Sequence, residues 1–329
     1  MNILVTGGAG YIGSHVVEEL KNSGFTPIVY DNLSTGHAAA VPEDVQLVEG
    51  DIHDVGFAKH IMQQFNIDAV IHFAANSLVG ESMENPAKYY FNNVEGSFHL
   101  LEAMRGAGVD RIVFSSTAAV YGEPEAVPIK EDSRLMPTNV YGRTKLMIEN
   151  MLADYDMAYE MRYVALRYFN AAGASASGKI GEDHNPESHL IPLVLKTAQG
   201  VRRQVAIFGT DYPTADGSCV RDYVHVCDLA KAHVLALQHL LKGGTSRVYN
   251  LGSEHGFSVK EIIDSAKKIT AVDFPVVEEE RRAGDPAVLI ASSEKIREEL
   301  GWVPQHSSVE EVISSAWKWH KNHPHGFEG

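Results

Sequence analysis

The first thirteen residues constrain the fold more tightly than any other segment of the chain. A short apolar run, residues 2–5, is followed by glycines at positions 7, 8, 10 and 13, which satisfy both the G-x-x-G-x-x-G and the G-x-G-x-x-G spacing. Glycines at these spacings permit a tight turn between a strand and a helix, and they let backbone N–H groups approach a pyrophosphate. The segment therefore predicts the first strand, turn and helix of a dinucleotide-binding βαβ unit.

Short apolar runs alternate with helical stretches through the first half of the chain. The predicted strands are residues 2–5, 26–30, 45–48, 69–73, 111–114 and 162–167. They are apolar on both faces, which is typical of parallel strands buried between two layers of helices. The sequence therefore predicts an α/β fold with a doubly wound parallel sheet of the Rossmann type.

A chain of 329 residues is long enough for about two domains. The regular alternation ends near Asn170, and Gly, Ser and Pro are frequent from there to residue 192. We expect a Rossmann domain of residues 1–170, onto which residues 225–250 pack back, and a smaller α/β substrate domain of residues 171–224 and 251–329. Ser258 and Ser308, each followed three residues later by Glu, predict two capped helix starts in the second domain.

The charge balance bears on the partners of the chain. Its 28 Lys and Arg residues are outnumbered by 43 Asp and Glu residues, and the net charge of −15 disfavours binding to nucleic acid or to anionic lipid. The longest stretch without these four residue types, residues 1–17, contains four glycines and lacks the basic leader of a signal peptide. Only two cysteines occur, which is typical of a reducing compartment. We therefore expect a cytoplasmic protein that binds neither nucleic acid nor membrane.

Two carboxylates follow predicted strands at positions that suit a dinucleotide. Asp31 lies 18 residues after Gly13 and is placed to accept hydrogen bonds from a ribose 2′-hydroxyl. No Arg or Lys lies between residues 31 and 37, so NAD is favoured over NADP. The alternative for Asp31 is a helix-capping residue after an ordinary turn. Asp51 is placed to accept from the adenine amino group, and the alternative is an exposed turn residue.

A phenol and an ammonium occur four residues apart. Tyr141 and Lys145 would share one face of a helix that begins near Thr138. A free Tyr has a pKa of about 10, so a role as base near pH 7 needs a drop of about three units, or about 4 kcal/mol, part of which Lys145 would supply. The Tyr-x-x-x-Lys pattern by itself is equally compatible with an ordinary surface pair.

A cluster of hydroxyls follows the predicted strand that ends at residue 114. Ser115, Ser116 and Thr117 lie where an open parallel sheet binds its ligands, at the carboxyl end of a strand. A hydroxyl there would hydrogen-bond the substrate oxygen that Tyr141 deprotonates. The alternative is a Ser/Thr turn that closes the strand.

Together these residues resemble the extended short-chain dehydrogenase/reductase family, and the second half of the chain resembles its UDP-sugar branch. The segments that carry the narrower resemblance are residues 168–170, 208–225, 249–252 and 281–287. The resemblance runs from end to end. It implies bound NAD, a UDP-sugar substrate, a homodimer, and reversible inversion at C4 of UDP-galactose and UDP-glucose.

The resemblance also implies a set of contacts, residue by residue. The implied NAD contacts are Gly7, Gly10, Tyr11, Ile12, Gly13, Asp31, Asn32, Asp51, Ile52, Phe73, Ala74, Ala75, Asn92, Ser115, Tyr141, Lys145 and Tyr168. The implied substrate contacts are Thr117, Tyr141, Asn170, His189, Leu190, Ala206, Phe208, Arg221, Tyr223, Arg282 and Asp285. The two arginines would meet the diphosphate, because a guanidinium bonds phosphate oxygens in pairs. Tyr141, Lys145 and Thr117 would be catalytic.

The implied reaction removes a proton from the 4-hydroxyl through Tyr141 while C4 gives its hydride to NAD and later recovers it on the opposite face. The chain departs from relatives at Ser77, at His189, and near Val288, where some relatives carry a large Tyr. A small residue there leaves room for a 2-acetamido group, so we expect activity on UDP-N-acetylglucosamine and UDP-N-acetylgalactosamine as well.

Two other functions are compatible with the fold. A sugar-nucleotide 4,6-dehydratase needs a further acid and base, and relatives of that kind carry Asp-Glu where this chain has Ala118 and Ala119. A non-catalytic NAD-binding module needs no proton-transfer set. The 16 histidines show no metal-ligand spacing such as H-E-x-x-H, so no metal site is expected.

Overall fold

The large sheet consists of seven parallel strands. In the computed structural model, which describes residues 1–282 and 285–327, its strands are β1 (Asn2–Thr6), β2 (Thr26–Asp31), β3 (Gln46–Glu49), β4 (Ile67–His72), β5 (Arg111–Ser115), β6 (Arg162–Arg167) and, with all strands numbered in chain order, β11 (Arg247–Asn250). Their order across the sheet is β11-β6-β5-β4-β1-β2-β3. Because every neighbouring pair is parallel, the carboxyl ends of all seven strands lie at one edge.

Helices cover both faces of this sheet. One face carries α1 (Tyr11–Asn22) and α8 (Val226–Leu241), and the other carries α2 (Val55–Gln64), α5 (Gly96–Ala107) and α6 (Val140–Tyr159). Ile3 and Val5 of β1 pack in the core with α1 and α8, whereas Leu4 packs in the core with the other three helices. The predicted doubly wound fold is therefore confirmed, and burial on both sides explains why these strands are apolar throughout.

Shorter elements connect the strands of the first half. The segment between β4 and β5 contains α3 (Val79–Glu84), α4 (Pro86–Tyr89) and a π-helical stretch (Tyr90–Glu95) before α5. Short 3-10 turns follow β2 and β5, at Ala38–Ala40 and Ala118–Tyr121.

The chain after β6 builds smaller sheets and a further core. Its strands are β7 (Asn170–Ala172), β8 (Val205–Phe208), β9 (Val220–Arg221), β10 (Tyr223–His225), β12 (Phe257–Ser258), β13 (Val276–Glu279) and β14 (Val288–Leu289). They pair as β7 with β10, as β8 with β13, and as β12-β9-β14. The helices are α7 (Leu190–Ala198), α9 (Val259–Thr270), α10 (Glu294–Leu300) and α11 (Val309–Asn322). Leu195, Ile262 and Ile313 join α7, α9 and α11 in one apolar cluster. The division of the chain into two domains stays a prediction.

Both predicted capping boxes are present. Ser258 precedes α9 and Ser308 precedes α11, and each hydroxyl accepts a hydrogen bond from the backbone N–H of the Glu three residues later. The carboxylate of that Glu accepts from the backbone N–H of the serine in return. These bonds satisfy N–H groups that the start of a helix leaves unpaired.

The structure differs from the sequence prediction at two elements. α6 begins at Val140 rather than near Thr138, because the Asn139 side chain accepts a hydrogen bond from the Gly142 N–H and acts as the N-cap. β11 was not predicted, and its place in the sheet comes from parallel pairing with β6. Over the part of the chain that the structure describes, we find no helix with the length and apolar character needed to span a bilayer.

Candidate active site

A crevice forms where the order of strands reverses. The chain passes from β1 outward to β2 and β3, and then returns to the other side of β1 for β4, β5 and β6. The glycine turn follows β1 at this point. Gly7 has a φ of +72°, and a Cβ on it would lie 2.6 Å from the Ala74 backbone nitrogen. The turn therefore lies directly against residues 73–75, which follow β4, and reversal points of this kind are where open α/β sheets bind ligands.

The N-terminus of α1 faces this crevice without a side-chain cap. Gly10 is the N-cap residue and has no side chain that could cap the helix. Because no helical carbonyl precedes the first turn, the N–H groups of Tyr11, Ile12 and Gly13 have no hydrogen-bond partner within the helix. Together with the helix dipole they form a site for an anion such as a pyrophosphate. The Tyr11 hydroxyl donates a hydrogen bond to the Gly173 carbonyl at 2.7 Å and so joins this helix to the second half of the chain.

Asp31 ends β2 and reaches back to the glycine turn. Its carboxylate accepts hydrogen bonds from the N–H groups of Ala9 and Leu33, both at 2.9 Å. Burial raises the pKa of Asp31, and the two hydrogen bonds act in the opposite direction. Asp51 follows the next strand, β3, and its Oδ2 accepts a hydrogen bond of 2.9 Å from Nδ2 of Asn32, the residue directly after Asp31. These carboxylates occupy the side of the crevice expected for an adenosine, and they fit NAD with its free 2′-hydroxyl.

A buried asparagine that the sequence analysis missed supports the neighbouring segment. Asn92 and Asn93 lie in the π-helical stretch, and Asn92 Nδ2 donates to Asn93 Oδ1 at 3.0 Å. Asn93 Nδ2 in turn donates to the Asn76 carbonyl and to Thr144 Oγ1 of α6. Asn93 therefore ties the chain after β4 to the helix that carries Tyr141.

Ile52, another expected cofactor contact, is buried shortly after the end of β3.

Tyr141 and Lys145 lie one turn apart on α6, against the end of β5. Lys145 Nζ donates to the Ser115 carbonyl at 2.9 Å and lies 5.9 Å from the centroid of the Tyr141 ring. Desolvation by the surrounding protein raises the pKa of Tyr141 to about 12, and a hydrogen bond with Thr117 acts in the opposite direction. Burial lowers the pKa of Lys145 to about 7, against the attraction of Glu149. The Ser115 hydroxyl shares a hydrogen bond of 2.6 Å with the Tyr168 hydroxyl.

The expected lowering of the Tyr141 pKa by Lys145 is outweighed by burial in this structure. From the sequence alone, the Lys145 ammonium is expected to lower the pKa of the Tyr141 phenol, but burial disfavours the charged form of both groups. The surrounding protein groups therefore favour the protonated form of Tyr141 near neutral pH.

A buried ion pair behind Lys145 also escaped the sequence analysis. Glu149 lies one turn after Lys145 on α6, and its carboxylate accepts two hydrogen bonds from Arg167 of β6 and one from the Ser116 hydroxyl. Arg167 Nη1 also donates to the Tyr121 hydroxyl at 2.8 Å. The signal was available in the sequence, because Tyr141, Lys145 and Glu149 recur at a helical spacing of four.

The expected substrate residues come together in pairs. The Arg282 guanidinium lies over the Phe208 ring, 3.9 Å from its centroid. Arg221 Nη2 donates to Asp285 Oδ1 at 2.8 Å. Asn170 of β7 is in register with Tyr223 of β10, and Ala206 lies in β8 with Phe208. Residues 283 and 284 of this region lie outside the described part of the chain.

A cavity of about 570 Å³ lies beside these residues. Arg282, Asp285 and Val288 line one wall, and Glu123 and Pro124, which follow the 3-10 turn after β5, line the other. The cavity therefore lies between the segment after the 3-10 turn and the segment that carries Arg282.

The two residues of β14 have different surroundings. Val288 lines that cavity, whereas Leu289 packs against the cluster that includes Ala118, the residue directly after Thr117. Of these two residues, Leu289 is therefore the one that packs next to the segment carrying Thr117.

His189 has a different environment from the rest of the expected substrate set. It is the N-cap residue of α7, ahead of Leu190, and its Nδ1 lies 2.8 Å from Glu182 Oε1 and 3.0 Å from Glu187 Oε1. The two carboxylates raise the pKa of His189 to about 10, although desolvation alone would lower it. His184 completes the group, with Nδ1 at 3.1 Å from Glu182 Oε1.

These features define a class. A doubly wound sheet, a glycine turn at the strand reversal and a Tyr-x-x-x-Lys pair beside the end of β5 are those of a nucleotide-dependent enzyme of the short-chain dehydrogenase/reductase type. The chain belongs to the NAD dependent epimerase/dehydratase family, whose model matches residues 3–252.

Individual proteins resemble the chain over its whole length. A UDP-glucose 4-epimerase of Halalkalibacterium halodurans is 57% identical over 327 residues, which cover 99% of this chain and 98% of the relative. The crystal structure of a UDP-glucose 4-epimerase, 52% identical, superposes with a TM-score of 0.98 over 100% of both chains. The Bifidobacterium longum UDP-glucose 4-epimerase, solved in complex with NAD+ and UDP, is 38% identical and covers 99% of this chain and 100% of that one, with a TM-score of 0.93.

Proposed function

We propose that the chain catalyses the reversible epimerisation of UDP-galactose and UDP-glucose at C4, and also accepts the corresponding N-acetylated sugars. The observation that carries this proposal is the meeting of Tyr141, Lys145 and Thr117 at the carboxyl end of β5, beside a crevice that fits NAD. The names of its full-length relatives agree with this activity.

The first half of the chain binds the cofactor. The uncapped N–H groups of Tyr11, Ile12 and Gly13 hold the pyrophosphate, and Asp31 accepts from the adenosine ribose. Asn32, Asp51, Ile52, Phe73, Ala74, Ala75, Asn92, Ser115 and Tyr168 complete the contacts. Bound NAD supplies a reversible acceptor for the hydride at C4 and a positive charge in its oxidised form.

Tyr141 moves the proton of the 4-hydroxyl. Its pKa of about 12 in this structure means that the phenol is protonated at neutral pH until a positive charge enters the crevice. Thr117 hydrogen-bonds the same oxygen and orients it, and Lys145 stabilises the phenolate. Because the pKa of Tyr141 follows the charge beside it, one side chain serves first as base and then as acid.

The second half of the chain binds UDP while the sugar rotates to present its opposite face. Arg221 and Arg282 bind the diphosphate, Asp285 binds the uridine ribose, and Phe208 is a further substrate contact. Phe208 and Asp285 also contact the two arginines and help to fix their orientation. Asn170, His189, Leu190, Ala206 and Tyr223 complete the contacts. The two arginines explain how a protein with a net charge of −15 binds an anionic substrate, because the positive charge is local.

The first experiment measures turnover without added cofactor. Purified protein given UDP-galactose is expected to form UDP-glucose, because NAD stays bound and is regenerated in each cycle. Tyr141→Phe should lower kcat at least about 100-fold while the bound NAD, measured after denaturation, is unchanged. Wild-type turnover by this variant, or a strict need for free NAD, would contradict the proposal.

We also propose that the chain is a cytoplasmic homodimer. Cys219 and Cys227 are both free thiols, which suits a reducing compartment. Phe91 and Phe98, which lie in the π-helical stretch and in α5, expose 56% and 43% of their surface and provide apolar area for a partner subunit. Light scattering of the purified chain gives its mass directly.

A further inference from the structure

Four metal-ligating side chains meet in the segment before α7. This group, the 182–189 cluster, consists of Glu182, His184, Glu187 and His189, and one ligand atom from each lies within 4.8 Å of all the others. His184 Nδ1 lies 3.1 Å from Glu182 Oε1 and 3.9 Å from Glu187 Oε2, and His189 Nδ1 lies 2.8 Å from Glu182 Oε1 and 3.0 Å from Glu187 Oε1. A tetrahedral ion with metal–ligand distances of about 2.05 Å places its ligands about 3.3 Å apart, so the separations fit one ion.

A second observation points to a ligand at this place. The Glu187 side chain is only 4% exposed, and its two oxygens have different surroundings. Oε1 accepts hydrogen bonds from the backbone N–H groups of Ser188 and His189. Oε2 is buried without a hydrogen-bond partner and faces the cluster, 3.9 Å from His184 Nδ1. A buried carboxylate oxygen without a partner is costly, and a bound cation would satisfy it.

The donor set selects the kind of ion. Two imidazole nitrogens and two carboxylate oxygens suit Zn²⁺, whereas Mg²⁺ and Ca²⁺ prefer oxygen ligands throughout. A divalent ion also balances the two carboxylates, of which Glu182 and Glu187 expose only 6% and 4% of their side chains. We propose that the 182–189 cluster is a zinc site in which Glu182, His184, Glu187 and His189 are the ligands.

The position of the cluster indicates a structural role. The His184 ring meets the Tyr11 ring edge-on, with centroids 6.1 Å apart, and Tyr11 begins the helix of the glycine turn. On the opposite side, the Glu182 carbonyl accepts a hydrogen bond from Trp319 Nε1 of α11. Zinc bound here fixes the segment that leads into α7 between these two helices. The inference revises the expectation from spacing alone, and it does not depend on the proposed epimerase activity.

The test uses the full-length NAD-bound protein without an affinity tag. After treatment with a strong chelator and removal of the chelator, ZnCl2 is added, and bound metal and Tm are measured at fixed pH. We expect about one tightly bound zinc ion per chain and a rise in Tm, with no rise when MgCl2 replaces ZnCl2. His184→Ala and the shape-conserving Glu187→Gln should each weaken zinc binding more than about 10-fold.

His60→Ala is the matched control, because His60 is an exposed histidine on α2, outside the cluster. This variant should keep both the zinc and the rise in Tm. A wild-type protein that binds no zinc and shows no response would overturn the proposal, as would a Glu187→Gln variant that folds and responds to zinc like the wild type.

Discussion

Two adjacent residues of β14 show how much depends on a single position in a strand. Successive side chains of a strand point to opposite sides, so Val288 borders the open cavity while Leu289 packs toward Ala118 and Phe169. A substitution at 289 therefore acts near the proposed catalytic hydroxyl of Thr117, and the same substitution at 288 acts in the cavity that Arg282 lines.

We predict that Leu289→Tyr narrows the range of sugars. The larger side chain takes the space of a 2-acetamido group, so kcat/KM for UDP-N-acetylglucosamine should fall at least about 10-fold more than kcat/KM for UDP-glucose. Val288→Tyr is the matched control and should lower both values to a similar extent. Selective loss at Val288 instead, with equal losses at Leu289, would show that the side chains contact the sugar the other way round.

The sequence predicted residue types better than it predicted their electrostatics. Tyr141 and Lys145 were found from spacing, and their contacts with the end of β5 agree with a shared site. The direction of their pKa shifts was not predictable, because it comes from burial by distant parts of the chain. Glu149 was missed although it continues the helical spacing of Tyr141 and Lys145, whereas its pairing with Arg167 is visible only when α6 and β6 are packed together.

Helix starts are the elements that local sequence determines most directly. α11 packs Val312, Ile313 and Trp319 into the molecule, and the capping box at Ser308 defines where the helix begins. The Ser308 hydroxyl is on the surface and has few other contacts, so a substitution of Ser308 measures the contribution of the cap to stability by itself.

We predict that Ser308→Ala lowers the free energy of unfolding by about 1 kcal/mol, because the Glu311 N–H loses its acceptor. Urea unfolding monitored by circular dichroism measures the change. Ser314→Ala makes the same chemical change at an exposed position inside the same helix and should be neutral or slightly stabilising. Equal effects of the two variants would mean that the cap is not what stabilises α11.

Strands were predictable where burial made them continuously apolar. The first six strands of the large sheet match predicted runs to within about two residues, and all of them except the edge strand β3 lie between two other strands and are covered by helices on both faces. β11 has the sequence Arg-Val-Tyr-Asn, and its ends are polar. It lies at the margin of the sheet, where one neighbouring strand is enough, so its sequence does not need to be apolar throughout.

At the scale of the whole molecule, several buried histidines make the stability of the fold sensitive to acid. Burial lowers the pKa of His15 and His233 to about 4, and that of His72 and His225 to about 3. In the unfolded chain these groups titrate near their ordinary pKa of about 6.5. Between about pH 4 and pH 6.5 the unfolded chain therefore binds protons that the folded chain does not.

We predict that stability falls as the pH falls through this window. The free energy of unfolding should decrease between pH 7 and pH 5, with up to about 3 kcal/mol from each of His15 and His233, whose pKa is about 4, at still lower pH. His15→Asn keeps a donor for the Tyr11 carbonyl but cannot titrate, so its stability should depend less steeply on pH. Urea midpoints at a series of pH values measure both slopes, and identical slopes would exclude His15 as a contributor.

Site residues were predictable from the sequence where the residues of a motif lie close together in the chain. The glycine turn, Asp31 and the Tyr-x-x-x-Lys pair were found because their chemistry lies within a few residues of sequence. The 182–189 cluster was missed because its ligands match no familiar spacing, and only the packing of the segment before α7 brings them together. The pairing of Arg221 with Asp285 spans 64 positions and is likewise a product of the fold.

The hydrogen bond from Tyr11 to Gly173 has a consequence for communication across the protein. It fastens the first residue of the helix that faces the pyrophosphate to the stretch of chain leading toward His189 and Leu190. We expect removal of this bond to lower the affinity of the protein for both proposed ligands, the dinucleotide and the nucleotide sugar.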